Sequence, residues 1–308
     1  MKRVPRHAAT YLLDPLGEPV LVVESGERFW LETPDAHRGT VVDSTVVYAS
    51  LDDVIERLGG ANPLVGPVAV DGAAAGDCLL VSIEEIVPAP RRRAGYTCTT
   101  PAVDPALEPE SVICPIDAGD VLLPTSLGDV RLPLRPMLGT LAVAPADGPR
   151  PSFGQGRDVL GNVDLPELAQ GATVVLRAQV DGGLLYGGDA HLAQGEAEIH
   201  RAAIETEADV LLRVEVRDAE SAGFAGLPQV NTPAEWGSVA TGPGHLEDLV
   251  RDAYADLARR LVGAGLGRAD AWRLLGAAGR VTVGQLVPPL SSVLVRMPTA
   301  AIPVSPVA

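Results

Sequence analysis

Short apolar runs separated by turn residues make up most of the chain before His245. Val20–Val23, Arg28–Leu31 and Thr40–Val42 are early examples, and glycine, proline or acidic residues punctuate them. Runs of this length and spacing are typical of antiparallel strands in a sandwich or barrel. The pattern resumes at Cys78–Ile83, so we expect a mainly β protein with antiparallel, sandwich-like or barrel-like layers.

The middle of the chain continues this β pattern. We interpret Gly171–Tyr186 as strand, turn and strand. The pattern then alternates through Ile199–Val216, which predicts a further strand with Glu205, Glu207 and Asp209 facing water.

The periodicity changes after His245, where apolar residues recur at helical spacing. They are Leu246, Leu249, Val250, Ala253, Leu257 and Leu261. This spacing predicts an amphipathic helix of about four turns. The helix should end at the glycines 263 and 265. A second helix near Ala269–Gly276 and a strand-like tail at Val281–Arg296 complete a small C-terminal helical appendage, which makes the class α+β.

These changes of pattern divide the chain into three regions. Residues 1–148 form a β-rich region, and Leu132–Ala144 has strand character near its end. Within this region the segment near 88–127 mixes proline, arginine and acidic residues without a period, so we expect a long insertion there. Residues 149–244 form a central β region, and residues 245–308 form the helical appendage.

Charge and composition exclude several functional classes. The 308-residue chain has a formal net charge of -16, and Arg91–Arg93 is its one basic run of note. A surface of this sign disfavours nucleic-acid phosphates and anionic membranes. No run of about 18 apolar residues and no signal peptide is present. We therefore expect a cytoplasmic protein that binds neither nucleic acid nor a membrane.

Cysteine and loop motifs remove further alternatives. The three cysteines, Cys78, Cys98 and Cys114, are widely spaced, which argues against a disulfide scaffold and a thiolate zinc site. Residues 154–164 are glycine-rich but lack the Gly-Lys-Ser/Thr of a phosphate loop. No Gly-x-Ser-x-Gly occurs, so a serine hydrolase is a weaker hypothesis.

The densest group of chemically active side chains lies in Gly187–Glu198. Asp189 and His191 are two residues apart, and in a strand they would share one face and could bind one ion. Histidine nitrogen with carboxylate oxygen suits zinc, iron or manganese, and Glu198 could accept a proton from metal-bound water. The alternative is a polar surface turn in which His191 is only hydrogen-bonded.

Several dispersed motifs together resemble the acetamidase/formamidase family, whose members hydrolyse small amides to a carboxylate and ammonia. The motifs are Glu32-Thr-Pro-Asp35, Asn62-Pro-Leu-Val-Gly-Pro67, Val70-Asp-Gly-Ala73, Gly76-Asp77, Pro136-Met-Leu-Gly139, Gly161-Asn-Val-Asp164, Gly187–Glu198, Gly265–Leu275 and Val283–Pro288. The resemblance spans nearly the whole chain. It implies a mostly β architecture, a homodimer or higher oligomer, and in some members a divalent metal.

The resemblance also implies roles for individual residues. Asp189 and His191 would hold the metal, for which we expect zinc, and Asp35, Glu32 or another chain could supply further ligands. The residues expected to act in catalysis are Glu198 as general base, Asn162 or Gln194 orienting the carbonyl or amide, and Asp164 from the Gly-Asn-x-Asp motif.

The chain departs from the family pattern at four positions. Val65 replaces a usual threonine, Leu160 and Ala197 stand where glycine is usual, and Ala36 replaces a cysteine that some members carry. Bulkier side chains would reshape a pocket. Two alternatives therefore accompany the amidase hypothesis: a tailoring enzyme acting on a larger metabolite, and a catalytically silent ligand-binding protein.

Overall fold

Two large sheets share one apolar core in the computed structural model, which describes residues 1–101, 104–287 and 290–302. The helices are α1 (Leu51–Leu58), α2 (Leu246–Gly263) and α3 (Arg268–Ala278). The strands are β1 (Lys2–Val4), β2 (Ala9–Thr10), β3 (Leu12–Leu13), β4 (Leu21–Val23), β5 (Arg28–Thr33), β6 (Leu64–Val70), β7 (Cys78–Pro88), β8 (Ala94–Thr99), β9 (Glu110–Asp117), β10 (Asp120–Leu123), β11 (Val130–Pro133), β12 (Met137–Val143), β13 (Arg150–Pro151), β14 (Gln155–Gly156), β15 (Leu160–Asn162), β16 (Thr173–Arg177), β17 (Leu185–Ala193), β18 (Ile204–Thr206), β19 (Ala208–Arg217), β20 (Gln229–Asn231), β21 (Glu235–Gly242), β22 (Arg280–Val287) and β23 (Leu290–Pro298).

The first sheet has the strand order β1-β5-β19-β7-β16-β20-β21-β23-β22. The second has the order β11-β10-β9-β8-β18-β17-β12-β15-β14, with β2 and β4 joined to it through β6, which pairs with β17. The described pairings are antiparallel apart from β1 with β5 and β4 with β6. The expectation of a mainly β, antiparallel, layered protein is confirmed.

The core between the sheets is aliphatic. Leu31 and Val210 come from the first sheet, Leu141 and Leu185 come from the second, and all four are fully buried. Burying an aliphatic side chain of this size is worth about 1.5–3 kcal/mol. The apolar residues on the inner faces of the strands therefore hold the two sheets together.

The helical appendage packs on the outer part of the first sheet. Leu249 and Leu257 of α2 share a cluster with Ala271 of α3 and with Val293 and Val295 of β23. Both predicted C-terminal helices are confirmed. Among the described residues, no helix is long and apolar enough to cross a membrane.

The prediction of a strand at Thr40–Val42 is wrong, since these residues lie in an irregular loop. The run is too short to pair before the chain turns at Asp43, whose carboxylate accepts the N–H of Thr45 at 2.8 Å. Helix α1, which we did not predict from the sequence, follows this loop. The hydroxyl of Ser50 accepts the N–H of Asp53 at its start, and Gly59 with φ 79° ends it.

The segment near 88–127 is built of strands in its described part. β8, β9 and β10 form antiparallel pairs, and β8 pairs with β18, so the segment extends the second sheet. Its proline and charged residues occupy an exposed meander, which hides the two-residue period. The division of the chain into three regions stays a prediction.

Candidate active site

Strand β17 carries Asp189 and His191 into the middle of the second sheet. Asp189 is 6% exposed and His191 is 1% exposed. The strand pairs with β12 on one side and with β18 on the other, where His191 lies opposite Glu205. Residues 185–193 are therefore a buried strand, and not the polar surface turn of the alternative interpretation.

Gln194 fixes the orientation of the His191 ring. Its amide nitrogen donates to the carbonyl oxygens of Asp164 at 2.6 Å and Gly284 at 3.4 Å. The amide oxygen therefore faces His191, whose Nδ1 lies 2.9 Å away. Nδ1 must donate in this contact, so the neutral ring carries its free electron pair on Nε2.

Carboxylates surround this free nitrogen. His191 Nε2 lies 3.6 Å from Asp189 Oδ1 and 3.3 Å from Glu205 Oε2. The potential ligand atoms form two groups, each with one atom per residue and all atoms within 4.8 Å of one another. The first group is Asp164, Asp189 and His191, and the second is His191, Glu198 and Glu205. Two nitrogen or oxygen ligands of one tetrahedral zinc ion are about 3.4 Å apart. The separations fit ligands of a shared ion.

Three buried atoms in this cluster have no hydrogen-bond partner among the described residues. They are His191 Nε2, Glu205 Oε2 and Asp164 Oδ1. Buried polar atoms are nearly always paired, so three unpaired atoms that converge need an explanation. A divalent cation bound at His191 would give its Nε2 a partner together with carboxylate oxygens of one or both groups. A set of one histidine nitrogen and several carboxylate oxygens suits zinc, iron or manganese.

The cluster retains protons when no cation neutralises it. Burial raises the pKa of Asp164 and of Glu205, and it raises the pKa of Glu198 to about 8. Burial alone would lower the pKa of His191, but the carboxylates of Glu205 and Asp189 outweigh it and raise the pKa well above the usual value. A bound cation would replace these protons.

An amide network holds the outer oxygens of the two aspartates. Asn162 Nδ2 donates to Asp164 Oδ2 at 3.0 Å, and Asn62 Nδ2 donates to Asp189 Oδ2 at 3.2 Å. Asn162 Oδ1 accepts from Asn62 at 2.7 Å and from the hydroxyl of Thr140. Both ends of the Asn162 side chain are thus bonded to protein, and it fixes Asp164 with Oδ1 directed away from the network.

Gly139 of β12 leaves the space in which the two aspartates meet. A Cβ atom built there would collide with Asp164 Oδ1 and Asp189 Oδ2. The backbone N–H groups of Val163 and Asp164 both donate to the carbonyl of Gly139, at 3.0 and 3.1 Å. The glycine therefore lets two carboxylates approach across a strand.

Asp35 lies apart from this cluster. Its Oδ1 accepts the N–H groups of His37 at 3.0 Å and Gly39 at 2.8 Å, and Arg92 lies 3.9 Å from Oδ2. Among the described residues it belongs to neither group of converging ligand atoms. The structure places Asp164 and Glu205, and not Asp35, beside Asp189 and His191, because Asp35 caps its own loop.

The Asp35 loop presents a neutral histidine near the cluster. His37 Nδ1 lies 2.6 Å from the hydroxyl of Tyr96, and its ring stacks on Tyr48 at 4.5 Å between centroids. Burial lowers the pKa of His37 to about 4, although the charge of Asp189 opposes this shift. Tyr96 lies opposite Glu205 in the sheet. These rings therefore form an aromatic border beside the carboxylates.

A cavity of about 290 Å³ adjoins the cluster at Glu205. Its lining includes the polar residues Asp35 and Tyr96, and it has an apolar wall formed by Val41, Val42 and Ile113. One water molecule occupies about 30 Å³ in the liquid, so the cavity has room for a ligand of several heavy atoms.

The sequence profile of the Acetamidase/Formamidase family matches residues 15–149 and 152–239, which include the whole cluster. The chain belongs to the acetamidase/formamidase family. No curated protein sequence matches it significantly.

Solved acetamidases have the same fold over almost the whole chain. An acetamidase from Bacillus halodurans is 28% identical, with 97% of each chain covered and a TM-score of 0.87. An acetamidase from Yersinia enterocolitica is 26% identical, with 98% of this chain and 92% of that chain covered and a TM-score of 0.86. A predicted acetamidase/formamidase from Thermoanaerobacter tengcongensis is 25% identical, with 97% and 96% covered and a TM-score of 0.85. Family and neighbours together support amide hydrolysis in general.

Two departures from the family pattern fall where the backbone favours glycine. Ala197 has φ 71° and Leu160 has φ 68°, both in the left-handed region that residues with a Cβ rarely adopt. Leu160 is fully buried, so its side chain adds core packing. Ala197 lies directly before Glu198 and is half-buried, so it strains the turn that presents a candidate catalytic carboxylate.

The prediction that Glu205 and Glu207 face water is wrong. They are 4% and 3% exposed. Glu205 points towards His191, and Glu207 accepts from Arg91 Nε at 2.8 Å and lies 3.4 Å from Arg6. Residues 204–208 are all buried, so the chain is covered on both faces here, and alternation along the sequence cannot show this. Asn62, the first residue of the Asn62–Pro67 motif, is a second site residue whose role the sequence did not indicate.

Proposed function

We propose that this protein hydrolyses a small linear amide to a carboxylate and ammonia at the cluster around His191. The observation that carries the proposal is that His191 belongs to two groups of converging ligand atoms, one with the buried carboxylates of Asp164 and Asp189 and one with Glu198 and Glu205. Membership in a family of amide hydrolases gives the bond type.

Asp164, Asp189 and His191 would hold a divalent ion, and Glu205, which belongs to the second group of ligand atoms around His191, would complete the set by moving closer to it. Zinc is our choice for these donors. A bound ion of this kind polarises a carbonyl and lowers the pKa of water to about 7. Asp35, which caps its own loop, is not part of this proposed set.

Glu198 is the proposed general base. Its carboxyl lies in the group with His191 and Glu205, beside the proposed ion, where a carboxylate can take a proton from water. In the proposed reaction, water adds to the amide carbon and gives a proton to Glu198. Glu198 then returns the proton to the nitrogen, the C–N bond breaks, and ammonia and the carboxylic acid leave.

Gln194, Asn162 and Asn62 act as positioning residues in this proposal. Gln194 keeps the hydrogen on His191 Nδ1, and Asn162 keeps Asp164 turned towards the cluster. Such outer contacts typically contribute about 10–100-fold to metal affinity or activity.

The experiment is an assay of ammonia release from formamide, acetamide and larger amides, with and without a chelator. We expect activity in the untreated protein, loss on chelation and recovery with zinc. His191→Ala should abolish it, whereas His245→Ala, which changes an exposed histidine at the start of α2, should not. Equal rates for His191→Ala and the unchanged protein would refute the proposal.

A second candidate is a tailoring enzyme that cleaves an amide of a larger metabolite. The cavity of about 290 Å³ beside Glu205 favours it, because formamide or acetamide would fill only part of that space. A series of amides with lengthening acyl groups separates the two. A rise in kcat/KM up to a branched or aromatic acyl group supports the larger substrate, and a maximum at acetamide supports the first proposal.

The homodimer or higher oligomer and the cytoplasmic location stay proposals. Sedimentation of the purified protein tests the first, and fractionation of the cells that make it tests the second.

A further inference from the structure

A second cavity, of about 380 Å³, lies in the C-terminal part of the molecule. It is lined by residues 219–220 and 222–225, by β20, by Trp236 of β21 and by the C-terminal end of α2. None of its lining residues lines the cavity at the candidate active site. It is therefore a separate compartment with its own chemistry.

Arg260 of α2 lines this cavity, although only 8% of the residue is exposed. Its Nη1 donates to the carbonyl of Gly237 at 2.6 Å and to the hydroxyl of Ser238 at 3.2 Å. Its Nη2 donates to Asn231 Oδ1 at 2.8 Å. Among the described residues, no carboxylate lies within 4.0 Å of this buried guanidinium.

The nearby acid is bonded to other groups. Asp256 Oδ1 accepts from the N–H of Leu227 at 3.1 Å and from Arg259 at 2.9 Å, and Oδ2 accepts from Ser238 at 2.7 Å. Burial lowers the pKa of Arg260 to about 10, against the charge of Asp256. Arg260 is thus a cation at neutral pH without a direct counterion.

Two donors of Arg260 remain open. A guanidinium has five N–H groups, of which the described contacts use three on Nη1 and Nη2. The Nε–H and one Nη2–H are left over. A carboxylate accepts two parallel N–H bonds from an arginine, and such bidentate pairs are among the strongest hydrogen-bonded contacts in proteins.

The walls next to Arg260 suit an apolar group. The Trp236 ring centre lies 5.3 Å from the guanidinium carbon, and Phe224 also lines the cavity. Arg259 and Glu220 also line the cavity, but both are exposed to solvent, which screens their charges, and Arg259 is paired with Asp256. Arg260 is therefore the buried charge of the lining.

We propose that this cavity binds a small organic carboxylate, with the carboxylate on the open edge of Arg260 and an apolar body against Trp236. A structural role for Arg260 in joining α2 to β21 explains its three protein contacts. It does not explain why a buried cation with two unused donors lines a cavity of this size. The site is independent of the proposed amide hydrolysis.

The test is calorimetric titration of the full-length protein with benzoate, and with benzyl alcohol as the neutral analogue. We expect saturable binding of benzoate and none of benzyl alcohol. Arg260→Lys keeps a charge but lacks the two-donor edge, and should weaken benzoate at least about 10-fold. Arg251→Gln, on the exposed side of the same helix, should bind like the unchanged protein.

Two further variants keep the test valid if Arg260→Lys does not fold. Ala264→Leu narrows the cavity without touching Arg260 and should also weaken benzoate. His191→Ala should leave this binding unchanged, which separates the cavity from product binding at the candidate active site. Absence of saturable binding, equal binding of benzyl alcohol, or loss of binding in His191→Ala alone would overturn the proposal.

Discussion

The cluster around His191 and the surroundings of Arg260 are two buried charged regions of opposite sign. The first concentrates carboxylates around one imidazole, and three of its polar atoms have no hydrogen-bond partner among the described residues. The second holds one guanidinium with three protein contacts and an aromatic ring beside it. Each leaves part of its hydrogen-bonding capacity open.

The two regions differ in how fully hydrogen bonds from the protein compensate the buried charge. Arg260 donates three of its five N–H groups to β20 and β21, so it stabilises the appendage whether or not a ligand binds. The carboxylates near His191 instead repel one another, and burial raises their pKa values. We infer that the cluster depends on a cation, whereas the Arg260 cavity only accommodates an anion.

The strongest test of the cluster is Gly139→Ala. The added methyl group would collide with the carboxylates of Asp164 and Asp189, and a displacement of about 1 Å can cost about 100-fold in rate. We expect at least that loss in amide hydrolysis, together with loss of bound metal. The matched control is Gly276→Ala in α3, where a Cβ meets nothing within 4 Å and activity should be unchanged.

Glu205→Gln tests the residue that the sequence did not assign to the site. Removing a direct ligand should cost more than the roughly 10–100-fold that outer contacts cost. Zinc affinity, measured by competition with a chromogenic chelator, should fall by at least about 100-fold. Glu196→Gln, which changes an exposed acid of the Gly187–Glu198 segment, should leave zinc affinity as it is. The same fall in both variants would remove Glu205 from the site.

The pH dependence of the metal-free protein distinguishes the two regions. The pKa of Glu198 is raised from 4.5 to about 8, so the stability from its protonated form is present below about pH 4.5 and is lost as pH rises towards 8. Arg260 stays charged throughout this window. The stability difference between the unchanged protein and Glu198→Gln, from urea unfolding, should therefore shift in favour of the glutamine variant as pH rises. A constant difference would contradict the assignment.

Metal binding should respond to pH in the opposite direction. A cation displaces the protons held by Glu198 and its neighbours, so zinc affinity should increase from pH 5 to pH 8. Calorimetry in two buffers of different ionisation enthalpy measures the protons released.

The smallest expected effect concerns the turn before Glu198. Ala197 has φ 71°, a conformation that costs an L-residue about 1–2 kcal/mol. Ala197→Gly should therefore raise the free energy of unfolding by about 1 kcal/mol, measured with urea. Ala106→Gly, at an exposed position without a positive φ, should instead lower it slightly. A lower stability for Ala197→Gly would show that the strain is compensated elsewhere.

The fold was predictable where apolar residues recur at a constant spacing over many positions. α2 repeats its apolar positions through Leu246–Gly263, and β16 with β17 follow a clear strand, turn and strand pattern. α1 was missed although Leu51, Val54, Ile55 and Leu58 stand at helical spacing, because a helix of eight residues has little more than two turns and lies between runs with strand character. Thr40–Val42 has β-type residues but no partner strand, and partners are a property of the whole fold.

The candidate site was predictable only where its residues are close in sequence. Asp189, His191 and Gln194 fall within six positions, and the motif containing Asp164 was visible. Glu205 enters through the pairing of β17 with β18, whose register shifts between His191 and Ala193. A bulge of this kind re-aims side chains and cannot be read from alternation alone. The Arg260 cavity depends on contacts between α2 and β21, which follow one another in the chain but meet only because the helix folds back on the sheet.

The most direct measurement of the central claim is the metal content of the purified protein, by mass spectrometry of the elements, before and after dialysis against a chelator. We predict about one divalent ion per chain that is removed by the chelator, returns with added zinc, and is absent from the variant Asp189→Ala/His191→Ala. A protein that stays free of metal under zinc-replete conditions while hydrolysing amides at full rate would contradict it.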